Sequence, residues 1–391
     1  MSDYGDFVDR TAFECDLDDY TEPLTKYLPN AQHRFYPICL GEVLNQQYQV
    51  EHKLGHGGFS TVWMAYDLKN KTDVALKVMA EGLGEHEYHM QREILKSVKD
   101  TSHLITYLNT FILHGNGKDH RVLVYPLHGP HLSMYTTLKR KSMTTRMSAA
   151  RQLLQALESL HNSGIVHQDL NEGNCMWGMV FLSHLSREAK YSILGRPQKA
   201  VIDEEDLWKP GELVQPVEVP ENLCTETFYL GDFGLAMKLG TSAAEYGLPP
   251  IEFCAPERLF NAPPSIASDM WSYMCLFSEL YCGTPPFCSS WMGGGMMVDM
   301  VRKLGPLPKQ WKGHYYYSNS ECDSWFEGKP DPKRDLAATI SRLAPHASHQ
   351  ELKHVLSIMY SCFNYHPEKR PTATQLLRDP SFRAIMDIYC P

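Results

Sequence analysis

Between Tyr48 and Val78 apolar and polar residues alternate, the pattern of half-buried strands. Tyr48-Gln49-Val50, Thr61-Val62-Trp63-Met64-Ala65 and Val74-Ala75-Leu76-Lys77-Val78 predict three short strands, joined by a glycine-rich turn and a Lys-Asn turn. A helical pattern follows at about 85–99, then two strand-like runs at about 104–112 and 121–126. After Gly129 the spacing becomes helical. The stretch 148–163 sets Leu153, Leu154, Leu157 and Leu160 on one face, and further helices are predicted at 266–281, 350–363 and 373–387. Strands first and helices afterwards predict an α+β chain of two lobes.

Three regions interrupt this order. Residues 1–40 hold eight acids in the first twenty-two positions against one arginine, Arg10, and read as a loosely ordered acidic arm. The stretch 181–227, rich in Pro, Glu and Lys, reads as an inserted surface loop. A second insertion is expected at 289–336, which contains Gly293-Gly294-Gly295, Tyr315-Tyr316-Tyr317, Lys329-Pro330 and Asp331-Pro332. The acids Glu321, Asp323, Glu327 and Asp331 there could dock a basic peptide, but a solvated loop explains them more readily.

Bulk properties narrow the classes. With 391 residues the chain can bury a sizeable core without staples. The 37 basic and 46 acidic residues give a net charge of −9, which disfavours a nucleic-acid partner and suits a basic substrate or an ordinary acidic protein. Eleven cysteines without a CxxC pair predict neither zinc nor disulfides. The polar, acidic start MSDYGDFVDR is unlike a signal peptide, and no apolar run of roughly eighteen residues could span a membrane. A reducing compartment, cytoplasmic or nuclear, is the expectation.

The chemistry lies in a few spacings. His167, Asp169 and Asn174 follow the helical stretch as HxDxxxxN, and Asp232-Phe233-Gly234 follows a strand-like Thr227-Phe228-Tyr229-Leu230. This supplies one acid, Asp169, to orient a hydroxyl, and two groups, Asn174 and Asp232, to hold magnesium on a nucleotide triphosphate. Upstream, Leu54-Gly55-His56-Gly57-Gly58-Phe59-Ser60 lies between two strand patterns, where Gly55 and Gly57 let backbone amides approach phosphates. Taken alone, that string could be a plain hairpin turn. Its weight comes from Lys77, at the distance expected of a phosphate-pairing lysine on the third strand. Glu93 is the candidate carboxylate to hold that lysine, with Glu87 and Glu85 nearby in sequence. Asp269 could brace the catalytic-loop backbone, and Glu257 and Arg370 could form a buried ion pair.

Together these motifs resemble the eukaryotic protein kinase family from about Tyr48 to Phe382. Within it, the stretch from Tyr36 to Asp67 is similar to the SR-protein kinases, which phosphorylate Arg/Ser-rich proteins. Phe59-Ser60-Thr61-Val62-Trp63, the insertion before Asp232 and Leu304-Gly305-Pro306-Leu307-Pro308 carry that likeness, and the resemblance implies a compact fungal-type member. The resemblance implies a bilobal protein-kinase fold: an N-lobe at 41–128, small and β-rich, and a larger helical C-lobe at 129–391. It implies ATP and Mg2+ as cofactors and protein substrates, Arg/Ser-rich ones among them, with no nucleic acid or membrane and a monomeric state. Leu54, Gly55, Gly57, Val62, Ala75, Lys77 and Tyr125 would line the nucleotide site, and the backbone of Pro126, Leu127 and His128, which follow Tyr125, would meet adenine.

The chain departs from the family at several positions. Gln168 replaces an arginine that receives an activation-loop phosphate, and the loop offers only Thr241, Ser242 and Tyr246 as acceptors. Activity independent of phosphorylation is the expectation. Asn171 stands where Ser/Thr kinases place a phosphate-steadying lysine, and Pro250 where they place its threonine partner. Losing one such donor costs roughly a hundred- to thousandfold in rate, about 3 kcal/mol. Pro250 also resembles tyrosine kinases, so dual or tyrosine specificity is one alternative, and a nucleotide-binding pseudokinase or scaffold is another. Ser60 replaces the third glycine, as in the SR-protein kinases.

Overall fold

The computed structural model describes residues 4–8, 21–28, 31–132, 141–202, 207–241, 247–287, 295–311 and 328–390. Its chain forms two compact units, one of residues 1–92, 105–130 and 177–225, the other of 93–104, 131–176 and 226–391.

The first unit is built on a six-stranded antiparallel sheet. Its strands lie in the order Val43–Leu44, Tyr48–His56, Ser60–Asp67, Thr72–Met79, Asp119–Pro126 and Asn109–His114. Alternation assigns the two faces. Val50, Trp63, Ala65, Val74, Leu76, Val78, Val122 and Val124 fill one buried core. Val62, Ala75, Lys77 and Tyr125 take the opposite parity. Val62 pairs with Lys77 and Lys77 with Leu123, while Ala75 pairs with Tyr125.

The buried face is covered by segments expected to be loose. Tyr36, Ile38 and Leu40 from the arm and Val214 from the 181–227 stretch join that core, with Tyr4 and Trp208 packed against it. The stretch is therefore not a surface loop. It forms the helix Arg187–Leu194 and the strands Gln198–Val201 and Glu212–Val214, and the strand Asp6–Phe7 adds to them in parallel. Its lysines are paired inside the protein instead of solvated. Lys190 Nζ lies 2.9 Å from Glu51 and 2.5 Å from Asp73, and Lys199 Nζ lies 2.9 Å from Glu212. The described part of the arm is equally built in. Glu22 pairs with Lys53, and Tyr27 and Phe35 pack with Ala80, Ile202 and Leu213. The acidic positions 9–20 lie outside the described residues.

The second unit is mainly helical. Helix Met143–Asn162 begins earlier than its apolar pattern because Ser142 caps it, accepting from Thr145 N. Helix Ile266–Cys282 is almost wholly buried and starts with a reciprocal Ser265–Ser268 capping box. Helix His349–Cys362 matches expectation. The single helix expected at 373–387 is two, Ala373–Arg378 and Pro380–Tyr389. Pro380 cannot continue the first helix but suits the first turn of the second, which Asp379 caps. Arg370 grips Glu257 with two nitrogens, each at 2.7 Å. Of the second insertion, the helix Gly295–Leu304 and Asp331 are described, whereas Tyr315, Tyr316, Tyr317, Glu321, Asp323 and Glu327 lie outside the described residues.

Candidate active site

In the first unit the strands Tyr48–His56 and Ser60–Asp67 are joined by the glycine-rich turn, closed by Gly57 N donating to Ser60 O at 2.8 Å. A Cβ added to Gly55, Gly57 or Gly58 would meet no atom within 4 Å. The turn is thus open to approach, as a phosphate cradle has to be.

Lys77 has a carboxylate partner, but not the expected one. Its Nζ lies 2.8 Å from Glu87 Oε2. The other Glu87 oxygen accepts from Tyr125 Oη at 2.8 Å. Gln91, one turn further along the helix Glu85–Ser97, donates to Tyr125 Oη at 2.6 Å and accepts from Tyr107 N at 2.9 Å. Glu93 belongs to another contact: it accepts from Lys238 Nζ at 2.5 Å, which holds its carboxyl below the usual range. Residues four apart share a helix face, so Glu87 and Gln91 point together and Glu93 does not. Sequence reasoning ranked Glu93 above its neighbour Glu87, although the i,i+4 pairing with Gln91 was a usable signal for Glu87.

Tyr125, assigned to nucleotide contact, spends its hydroxyl on Glu87. Leu54 and Leu127 pack in one apolar cluster with Met64, Met179, Leu182 and Leu223. His128 Nδ1 is 2.9 Å from Pro126 O, and burial pushes its pKa down.

In the second unit the catalytic stretch is anchored from behind. The Asp269 carboxylate accepts from His167 N at 2.8 Å and Gln168 N at 3.0 Å and lies 2.9 Å from His161 Nε2. His167 in turn places Nε2 3.0 Å from Gly231 O, beside the Phe233 ring. Gln168 and Asp232 sit at φ +70° and +57°, left-handed conformations uncommon for residues with side chains.

Asp169 is held at both oxygens. Asn171 Nδ2 donates to Oδ1 and Asn174 Nδ2 to Oδ2, each at 2.9 Å. Burial raises the Asp169 pKa against the lowering effect of His167 and the amide bonds, and the Asp232 charge adds to the rise. Because the Asn174 nitrogen is spent on Asp169, its Oδ1 is the side-chain atom that could meet a cation. Asn174 and Asp232 are hard oxygen donors, the type magnesium takes, and few in number, as suits a metal that shares its shell with phosphates and water. Among the described residues no cluster of three His, Cys, Asp or Glu could hold a metal by itself.

Residues 48–379 match the family described as protein tyrosine and serine/threonine kinase. The chain belongs to that family. This kinase is 23% identical over 385 residues to the serine/threonine-protein kinase SRPK of Physarum polycephalum, covering 88% of each chain. It is 24% identical over 377 residues to the serine/threonine-protein kinase AFC1 of Arabidopsis thaliana, covering 90% of this chain and 74% of that one. SRSF protein kinase 3 of Mus musculus is 29% identical over 170 residues, 40% of this chain and 30% of that one. A crystal structure of a kinase domain superposes with a TM-score of 0.62 at 19% identity, covering 89% of this chain and 98% of its own. The kinase fold and the likeness to SR-protein kinases expected from sequence are thus both found. Among the described residues, no helix is long and apolar enough to cross a membrane.

Proposed function

We propose that this kinase transfers the γ-phosphate of ATP, with magnesium, to Ser or Thr hydroxyls of protein substrates, Arg/Ser-rich segments among them. The observation that carries the reading is the two-amide grip of Asn171 and Asn174 on Asp169, on a loop whose backbone Asp269 holds. In phosphoryl transfer, positioning and charge neutralisation do most of the work, and this arrangement fixes one carboxylate.

Each residue has a part. Backbone amides of the Gly55–Ser60 turn face phosphate oxygens, and Lys77, kept in place by Glu87, pairs with them. Leu54, Val62, Ala75 and Leu127 give apolar contact to the base, whose polar edge meets the backbone of Pro126–His128. Asp169 orients the acceptor hydroxyl and takes its proton. Asn174 and Asp232 are the ligands for magnesium, which when bound neutralises charge on the phosphates. Asn171 spends its amide on Asp169, so the transferring phosphate lacks the cation that Ser/Thr kinases supply there, and turnover is slower for it.

The names of the relatives and the charge of −9 support a basic substrate class. A monomer acting in the cytoplasm or nucleus fits this reading. The test is an array of Arg/Ser-rich peptides carrying Ser, Thr or Tyr acceptors, incubated with the full chain, magnesium and labelled ATP. Label on Ser and Thr in Arg-flanked peptides is expected. Label on Tyr alone, or transfer indifferent to flanking arginines, would overturn the substrate class.

A further inference from the structure

The turn Gly55–Ser60 is held by a segment that precedes the strand-rich core. The Lys26 ammonium donates to Gly58 O at 3.1 Å. Phe59 O accepts from Ala80 N at 2.8 Å, and the Phe59 ring meets His33 with centroids 6.1 Å apart. The peptide bonds are trans, so the carbonyl of Gly58 and the N–H of Phe59 point to opposite sides of one plane. Gly58 carries no side chain and no atom lies within 4 Å of where its Cβ would be, so Gly58 adds no steric hold of its own on that peptide, whose carbonyl the Lys26 ammonium bonds.

Lys26 is delivered by built structure. It sits on the short 3-10 helix Leu24–Tyr27, whose Tyr27 donates to Glu22, and Glu22 pairs with Lys53, the residue preceding Leu54. Phe35 N donates to Lys26 O at 2.9 Å, and the ammonium lies 5.6 Å from the Phe35 ring centre. Arg34 donates to Glu81 at 2.8 Å, tying the far end of the segment down.

We propose that Lys26 is a positioning residue of the phosphate turn: it fixes the Gly58–Phe59 peptide so that Phe59 N–H faces the triphosphate, making the N-terminal segment part of the nucleotide site. This rests on the reading that the Gly55–Ser60 turn holds the phosphates. Asn171 gives the dependence weight, because the catalytic loop supplies no lysine of its own to the transferring phosphate.

The test uses the full chain with Lys26→Met and Lys26→Arg, titrated with ATP and with adenosine, which has no phosphates. Lys26→Met is expected to weaken ATP by about threefold to tenfold, to leave adenosine within about twofold, and to raise KM for ATP but not for peptide. Lys26→Arg should restore ATP binding. Unchanged ATP affinity in Lys26→Met would overturn the proposal. So would equal weakening of ATP and adenosine, which would reduce the segment to a prop. Wild-type chain that binds adenosine but gains nothing from the phosphates, with Lys77→Met no worse, would instead sink the site reading itself and this proposal with it.

Discussion

Lys77 Nζ and the Glu87 carboxylate meet at 2.8 Å, with Glu87 only 2% exposed. Desolvation strengthens such a pair and makes breaking it costly. Glu87→Gln should therefore lower kcat/KM about ten- to hundredfold, because Lys77 would no longer be preorganised. Glu93→Ala removes a partly exposed contact to Lys238 and should change the rate less than about twofold. Steady-state kinetics on both variants decides it, and the reverse ranking would restore Glu93 as the partner.

The 181–227 stretch is structural, and Lys190 shows why. It is 2% exposed and shared by Glu51 and Asp73, so removing it leaves two carboxylates without their cation. Lys190→Met should cost about 3–5 kcal/mol in urea unfolding. A loss below about 1 kcal/mol would mean that the stretch rides on the sheet without supporting it.

What the sequence disclosed, and what it hid, follows from range. Strand alternation from Tyr48 to Val78 is local, and so is the spacing of His167, Asp169 and Asn174. Both were legible. The Asp269 brace and the Glu257–Arg370 pair were legible because their motifs carry fixed partners. Glu93 was mis-assigned because nearness along a helix does not give its phase: six residues beyond Glu87, it points about 240° round the axis. The packing of 181–227 was invisible because the Lys190 partners lie 139 and 117 residues away in sequence. Composition alone reads such a lysine as solvated.

Burial, and after it the neighbouring Glu172, push the Glu279 carboxyl up to about 9 from an ordinary value of 4.5. One Glu279 oxygen is buried without a hydrogen-bond partner. Between those two values the folded protein keeps a proton that the unfolded chain has released, so this group lowers stability progressively as pH rises from 4.5 towards 9. Glu279→Gln mimics the protonated form. It should stabilise the fold by about 1–3 kcal/mol near pH 8 and by little near pH 5, measured by thermal melts across that range. An equal effect at both ends would rule out the proton as its source.

Gln168 donates to Leu235 O at 2.8 Å and brings no cation to a phosphate. Phosphatase-treated protein should therefore keep its full transfer rate, with mass spectrometry confirming that Thr241 is unmodified. A loss greater than about tenfold on dephosphorylation would show that another residue does what an arginine does elsewhere in the family.

The most direct check on the whole account is single-turnover transfer of labelled γ-phosphate from ATP to an Arg/Ser-rich protein, comparing the wild-type chain with Asp169→Ala. The account predicts label on serine from the wild type, dependent on magnesium, and a fall of about a hundredfold or more in the variant with ATP affinity retained. Equal transfer by both proteins, or nucleotide binding with no transfer by either, would contradict it.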